Sequence, residues 1–592
     1  MDRTINVTVT GEFVRKDSKN AGVQGEANVT GLHIVMSDDW EAFSKRIIWR
    51  NALGESPVAV LLYNSVEDLV AKKDPLTFDT AIPAEPLALE GWCSFTIEGF
   101  RESNPTAVAI TVTDHLLVKP NDAYTTPKEP TPTQAQQLQT QIDGIVPQVS
   151  TLVGNAIEAL EQAEEAVKVI KSGDHVHLSS VASAPQCLIK AMCARGEAGE
   201  LKNVHVHHLH TEGPAPYADP KFEGVFQLDS LFVGANVRKV TQSGYADYIP
   251  IFLSETQKLY RSGAVPCNVA MIQVCPPDKH GYVSLGTSVD ATLAAIECAD
   301  HVIAVVNKYV PRAFGQAMIP LSKIDLFVQD DQPLVEAKFS EPSDVEKAIG
   351  AHCAELIEDG ATLQMGIGAI PNAVLAQLGN HKNLGIHTEM FADGVLPLVR
   401  KGVINGEAKK TDPGKMVSTF LMGSQEVYNF IDDNPGVLMM DVGYTNDPYV
   451  ISQNDRFVAI NSAIQVDLTG QVCADSIGTK FWSGVGGQVD FVYGASLSKG
   501  GKAIIAMPSI TTKGVSKIAP VLDTGAGVVT TRNHIHWLVT ENGAVDLYGK
   551  TLQERARLVI SIAHPSAQEE LDRAAFERFG SHHHYIKGYM QK

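Results

Sequence analysis

Glu389 lies in the run Leu384-Gly385-Ile386-His387-Thr388-Glu389-Met390-Phe391, shortly after a glycine loop, Gly366-Ile367-Gly368-Ala369-Ile370-Pro371. A carboxylate on a short loop can attack a thioester, and a turn of glycines bares backbone N–H groups that can hold the oxyanion formed in the attack. The pair is equipment for acyl transfer. A second glycine cluster, Ser483-Gly484-Val485-Gly486-Gly487-Gln488, could also lay backbone against a ligand, although a tight turn between strands explains it equally well. Neither cluster is a dinucleotide fingerprint, since Pro371 falls where a third glycine would stand. No GxxxxGK[ST] occurs, so ATP hydrolysis is not suggested.

The elements that must position these residues occur twice. One copy runs from Ala166 through Leu178, Ala184-Pro185-Gln186 and a helix to Lys202-Asn203-Val204, and ends at His210-Thr211-Glu212. The other runs from Glu355 through Met365, Ile370-Pro371-Asn372 and a helix to Lys382-Asn383-Leu384, and ends at His387-Thr388-Glu389. Both read helix, turn, strand, proline loop, helix, strand, Thr-Glu. Two related α/β halves should therefore pack together, with a boundary near Pro342. Ligands in such folds bind beyond the carboxyl ends of strands, where both Thr-Glu pairs fall. The copies differ in the turn after the first strand, which is Gly366-Ile367-Gly368 in one and Ser179-Ser180-Val181-Ala182-Ser183 in the other. Side chains there obstruct a ligand, so the nucleophile is assigned to Glu389 and not to Glu212. The plainer reading, that both Thr-Glu pairs only close a loop, stays open at this level.

The chain has 592 residues, too many for one core, with 44% hydrophobic and 20% charged residues as in ordinary globular proteins. Its 48 basic and 68 acidic residues give a net charge of −20. That sign argues against nucleic acid or an anionic membrane as the main partner, but leaves room for a phosphorylated cofactor held by amides and a few local cations. Met1-Asp2-Arg3-Thr4 does not open a signal peptide, and no apolar run has the length of a membrane span. The eight scattered cysteines, without a CxxC, read as reduced thiols of a cytoplasmic protein. Cys473 is read as core.

No metal is expected. His205, His207, His208 and His210 resemble a cluster, but period-two alternation sets His208 and His210 on the face opposite His205 and His207. With no accompanying carboxylate or cysteine set, they are read as strand histidines. His582, His583 and His584 are read as a solvated tail.

Residues 1–120 form a β-rich domain, with alternation over Thr4–Val9 and Ala107–Val112 and with Trp40, Trp49 and Trp92 for an aromatic core. Residues 121–162 are a Pro/Thr linker and a polar helical stretch that suits a coiled coil or spacer more than a packed core. Residues 163–342 and 343–592 are the two α/β subdomains, the second holding Glu389.

From about 163 to 580 the chain resembles the acetyl-CoA hydrolase/transferase family of class I CoA-transferases, in particular the 4-hydroxybutyrate and butyryl-CoA:acetate CoA-transferases. The resemblance is carried by Gly366–Pro371, Glu389 through Asp393-Gly394, Thr419–Gly423, Tyr444-Thr445-Asn446-Asp447-Pro448, Asp475–Thr479, Ser483–Phe491 and Val539-Thr540-Glu541. It implies a ping-pong exchange of CoA between short-chain carboxylates, acetate with butyrate or 4-hydroxybutyrate. The exchange would run through a mixed anhydride and a glutamyl-CoA thioester on Glu389, with coenzyme A as a transiently covalent substrate. In the family's pattern Gly366, Ile367, Gly368, Ala369 and Ile370 bind CoA and steady the oxyanion, while Gly484, Gly487 and Gln488 contact CoA. Asn446 orients the substrate carboxylate, Glu541 is a further candidate for the same pocket, and Lys502 is a candidate contact for CoA. A homo-oligomer is also implied.

The region before 163 resembles the N-terminal immunoglobulin-like domain of phage baseplate upper proteins, through Trp49-Arg50-Asn51-Ala52, Ile82-Pro83-Ala84-Glu85 and the Gln-rich stretch from Gln134 to Asp143. That resemblance implies a fused binding or oligomerising module without a catalytic set. Two alternative functions stand beside the transferase. One is an acyl-CoA hydrolase in which water discharges the glutamyl thioester. The other is a phage structural protein whose C-terminal part is inactive, against which the intact Gly366 loop and Glu389 argue.

Overall fold

The computed structural model describes residues 157–337 and 341–580 throughout, and the backbone of the strands within 3–119. The chain divides into two compact units, Met1–Gly154 and Asn155–Lys592. The linker and Gln-rich stretch, the three tryptophan side chains expected as a core, and His582–His584 lie outside the described residues.

In the N-terminal unit the described strands form two sheets. One orders Phe13–Lys16, Arg3–Thr10, Thr30–Met36 and Thr77–Ala81; the other orders Asn20–Val23, Asn104–Lys119, Gly91–Arg101, Ser44–Arg50 and Val58–Leu61. The alternating runs at Thr4–Val9 and Ala107–Val112 both fall inside these strands. Ile34 and Met36, two residues apart and so on one face, are buried, as is Ile47 in the other sheet. Two pairings are parallel, Arg3–Thr10 with Thr30–Met36 and Asn20–Val23 with Asn104–Lys119.

The second unit holds two α/β halves with matching strand order. In the first, Val204–His207, His175–Leu178, Val269–Val274, His301–Val306 and Leu326–Gln329 run side by side and parallel. In the second, the order is Gly385–Ile386, Thr362–Met365, Phe457–Asn461, Lys502–Ala506 and Trp537–Thr540, again parallel. The inner strands are buried apolar runs, as sheets covered by helices on both faces require. Each copy places its Thr-Glu pair just past the second of its repeated strands, Val204–His207 or Gly385–Ile386, at the carboxyl end of the sheet.

The halves share one apolar core, in which Ala270, Ile272 and Ala304 of the first join Leu363, Ile460 and Ile504 of the second. The strand Phe314–Gly315 of the first half also pairs with Val437–Met439 of the second. The second half opens at a capping box: Ser343 and Glu346 satisfy each other's backbone N–H groups at the start of helix Asp344–Glu355. Among the described residues no helix is long and apolar enough to cross a membrane.

One sequence expectation is corrected here. The end of the polar helical stretch is not a spacer: the helix over 157–166 buries Ala159, Ala163 and Ala166 against the first half's core. The spacing of four and three residues puts these alanines on one helix face, a narrow stripe that a count of Glu and Gln conceals. Val167 and Ile170 continue it. Removing residues 1–154 is therefore expected to leave the melting temperature of the second unit unchanged. Removing 1–170 should cost on the order of 4 kcal/mol in a urea titration, through the lost alanine, valine and isoleucine burial.

Candidate active site

The short strands Gly385–Ile386 and Met390–Phe391 flank the Glu389 loop, and its backbone is tied on every side. The His387 N–H donates to the Leu363 carbonyl (3.1 Å) and the Thr388 N–H to that of Val417 (3.0 Å). The Thr388 hydroxyl reaches the carbonyls of Met365 (3.0 Å) and Met390 (2.9 Å). The Glu389 carbonyl accepts from Thr419 N (3.1 Å), Phe420 N (3.2 Å) and the Ser418 hydroxyl (3.0 Å). Buried Lys409 fastens the approach from below, donating from Nζ to the carbonyls of Ile386 (2.9 Å) and Lys415 (2.8 Å). Burial pushes the Lys409 ammonium down to about 7. A backbone held this firmly presents its side chain in one place.

That side chain is half-buried, packed on one side by protein and open on the other to a cavity. Asn446 donates from Nδ2 to Glu389 Oε2 at 3.2 Å, and the Gly487 N–H also donates to the carboxylate. A Cβ on Gly487 would collide with Glu389 Oε2 and Asn446 Nδ2, so the absent side chain is what lets the backbone reach the carboxylate. Burial raises the Glu389 carboxyl from 4.5 to about 7; the charge of Asp490 adds to this, and the Asn446 and Gly487 hydrogen bonds oppose it.

Glu389 opens onto a cavity of about 340 Å³. Gly366, Gly484, Gly486, Gly487 and Gln488 line it, so both glycine clusters meet at one carboxylate. A second cavity of about 270 Å³ adjoins along Gly366, Ile367, Ala369 and Ile370. Gly368 has φ +110°, a conformation that side chains disfavour, and helix Ala369–Gln377 starts directly after it. First-turn amides of such a helix have no intrahelical acceptor, so the loop carries donors beside the Glu389 carboxylate. Neither Gly366 nor Gly368 has an atom within 4 Å of where a Cβ would stand.

The first copy keeps this turn but closes it. Val181, at the position of Gly368, holds φ 45°, and it exchanges backbone hydrogen bonds with His210 and Glu212. Its side chain is fully buried. Glu212 is paired with His210 Nε2 at 3.0 Å.

Two of the sequence candidates are not brought to the cavity. Lys502 begins its strand, so it lies at the amino edge of the sheet, where it pairs with Glu358 at 2.7 Å. Glu541 is at the carboxyl edge but is taken up by Ser509, whose N–H donates to it at 2.8 Å and whose hydroxyl also bonds it. Asn446 is placed by the end of helix Val442–Thr445, whose capping Asp441 pairs with Arg261 of the first half at 2.8 Å.

Several lining residues went unread in the sequence: Phe232, Gln364, Asn461, Ser462 and Trp482. Gln364 and Asn461 form a reciprocal amide pair (3.3 and 3.1 Å) on adjacent strands. A glutamine inside the apolar strand Thr362–Met365 was the available signal. Trp482 follows the hairpin Ser476–Phe481, and Arg238 of the first half lies over its ring at 4.1 Å.

The histidine reading also needs correction. The strand ends at His207, so His208 and His210 lie beyond it and have no strand face. A carboxylate does accompany the others: Asp229 is 2.6 Å from His205 Nδ1, and His207 Nε2 is 2.7 Å from His175 Nδ1. The carboxylate comes from the next parallel strand, Phe226–Ser230, which sequence spacing does not reveal. Among the described residues no group of three or more His, Cys, Asp or Glu is arranged to hold a metal ion. Cys473 is buried in a short strand.

Residues 156–337 match the acetyl-CoA hydrolase/transferase N-terminal domain, and residues 423–575 match the C-terminal domain. Over 447 residues the chain is 49% identical to the succinyl-CoA:acetate/propanoyl-CoA:succinate CoA transferase of Fasciola hepatica, covering 75% of this chain and 93% of that one. Over 423 residues it is 49% identical to the 4-hydroxybutyrate coenzyme A transferase of Clostridium kluyveri, covering 71% and 98%. The crystal structure of 4-hydroxybutyrate CoA-transferase from Porphyromonas gingivalis superimposes with a TM-score of 0.61 at 40% identity, over 71% of this chain and 97% of that one. The chain therefore belongs to the acetyl-CoA hydrolase/transferase family. Within it, the chain is an enzyme of the CoA-transferase kind, with CoA as a substrate.

Proposed function

We propose that this enzyme exchanges CoA between short-chain acyl-CoA thioesters and carboxylates, acetate with butyrate or 4-hydroxybutyrate, through a glutamyl-CoA thioester on Glu389. The observation that carries the reading is the placement of a half-buried carboxylate between two glycine loops at the wall of a cavity. A Glu389 oxygen attacks the thioester carbon. The C–S bond breaks, leaving a mixed anhydride and CoA thiolate. The thiolate attacks the glutamyl carbonyl, the donor acid leaves as its carboxylate, and CoA stays bound to Glu389 as a thioester. An acceptor carboxylate runs the steps in reverse. Thioester energy is kept on the enzyme throughout, so no ATP is needed.

The residues divide the work by position. Amides of the Gly366–Ile370 loop, at the start of a helix, stabilise the oxyanion and lie along CoA. Gly484, Gly487 and Gln488 form the opposite wall. The Asn446 amide holds the carboxylate before attack and orients the acceptor carboxylate after it. Glu541 and Lys502 carry no part in this scheme. The N-terminal unit, outside the matched family residues, serves as a binding or oligomerising module, and the protein is a cytoplasmic homo-oligomer. The free cysteines at the seven described positions agree with a reducing compartment. A chain of residues 155–592 is expected to keep its transfer rate, since every residue of the scheme lies in it.

Only ionised Glu389 is a nucleophile. With its carboxyl raised to about 7, adduct formation should climb about tenfold per pH unit below 7 and level off above it. The deciding measurement is intact mass with peptide mapping after mixing enzyme and butyryl-CoA without acceptor. A CoA adduct on the Glu389 peptide, discharged by acetate, supports the reading. An adduct that water discharges equally fast favours hydrolysis, and no adduct on a folded chain overturns both.

A further inference from the structure

The reaction scheme leaves a second, buried carboxylate beside the nucleophile unused. Asp490 stands in the first turn of helix Gln488–Leu497. Ser254 donates to it twice, from its N–H to Oδ2 at 3.1 Å and from its hydroxyl to Oδ1 at 2.8 Å. Ser254 belongs to helix Leu253–Arg261 of the first half, and the neighbouring Leu253 N–H donates to the Gly486 carbonyl at 3.0 Å. The first half thus grips the glycine loop and Asp490 together.

Between Asp490 and Glu389 lies one amide. Asn446 Nδ2 is 3.2 Å from Glu389 Oε2 and also within hydrogen-bonding reach of Asp490. An amide NH₂ has two N–H bonds, and with one on Glu389 the other is free to serve Asp490. Asn446 Oδ1 is buried without a hydrogen-bond partner, so the carbonyl end does not fix the side chain. What is left to orient it is its NH₂ end, which lies against Glu389 and near Asp490.

We propose that Asp490 is a positioning residue for the transfer reaction: it holds the Asn446 amide against Glu389 and sets a second negative charge beside the nucleophile. The inference rests on the role of Glu389 proposed above. The consequence is chemical as well as geometric. A negative neighbour makes the Glu389 carboxylate more basic, hence a stronger nucleophile, at the cost of a smaller ionised fraction at low pH. When Glu389 becomes a neutral thioester, its charge departs with the released acid and the repulsion from Asp490 ends. The arrangement thereby favours the loaded enzyme. The groups facing Glu389 are Asn446, Gly487 N–H and Asp490; those facing Asp490 are Ser254, Asn446 and the charge of Glu255. Burial, with Glu255 adding, raises the Asp490 carboxyl to about 7 as well, against the Ser254 and Asn446 hydrogen bonds.

The test is the pH dependence of glutamyl-CoA formation, followed by rapid quench and intact mass with butyryl-CoA, for the full chain and its Asp490→Asn, Ser254→Ala and Glu389→Gln variants. Asp490→Asn should move the acid midpoint down by about one pH unit. Its plateau rate should fall about tenfold, with KM for butyryl-CoA within about twofold. Ser254→Ala removes one of the bonds that keep Asp490 ionised, so its midpoint should move the same way by less. It decides the matter if Asp490→Asn does not fold. An unchanged midpoint overturns the proposal, including where the plateau falls, because a merely structural role lowers the rate without moving the midpoint. An adduct on Glu389→Gln would instead overturn the assignment of the nucleophile. Absence of that adduct together with unshifted Asp490 and Ser254 variants would overturn the positioning role alone.

Discussion

Replacing Glu389 with glutamine is expected to abolish CoA exchange, with a loss in kcat of about 10⁴-fold or more, while CoA still binds. The amide keeps the size of the carboxylate and can remain against Asn446 and Gly487, but it carries no anionic oxygen to form the anhydride. Steady-state kinetics and CoA binding by calorimetry check the two halves of the statement, and a variant with full activity would remove Glu389 from the mechanism.

The same substitution should stabilise the fold at alkaline pH. Glu389 has a folded value of about 7 against an ordinary 4.5, so the folded state holds its proton more tightly than the unfolded chain. The group's contribution is fully present below 4.5 and is lost as pH rises through 7. By pH 8 that loss amounts to roughly 3 kcal/mol, shared with the neighbouring Asp490. Glu389→Gln should therefore melt higher than the natural chain at pH 8 and no higher at pH 4. A gain of stability with loss of activity marks a group kept for chemistry rather than for folding.

The second large effect is expected at Gly487. Its φ of −94° is open to any residue, so alanine meets no backbone objection there. The objection is spatial, because the added Cβ would fall on Glu389 Oε2 and Asn446 Nδ2. Either the carboxylate moves or the loop backs away, and the Gly487 N–H loses its acceptor in both cases. A displacement near 1 Å at a nucleophile costs on the order of 10²-fold in rate, so Gly487→Ala should lose at least that in kcat. Gly366→Ala is the informative contrast. Nothing lies within 4 Å of its Cβ position, which faces the cavity, so the burden there should appear mainly in KM for the acyl-CoA. Equal kcat losses at both positions would show that the two loops do not divide the work as proposed.

The sequence by itself determined the repeated α/β frame, because each copy is written locally. Strand, proline turn, helix, strand and Thr-Glu follow one another within about fifty residues, and short-range patterning dictates such units. It also marked which copy stays open, since Gly368 and Val181 both hold a positive φ (110° and 45°) and only glycine does so without a side chain that fills the space. The expectation of Lys502 as a CoA contact overlooked a signal the sequence held: it precedes the apolar run it belongs to, and so sits at the amino edge of a parallel sheet, away from the ligand end.

What the tertiary structure alone decided is the company each residue keeps. Asn446 reaches Glu389 across 57 positions, and Ser254 reaches Asp490 across 236. Asp229 meets His205 from a neighbouring strand, and three alanines turn a polar stretch into a packed helix. Periodicity says which face a side chain takes, but not which distant segment the shared core will press against it. In this chain the ionisation of Glu389 depends on that second fact.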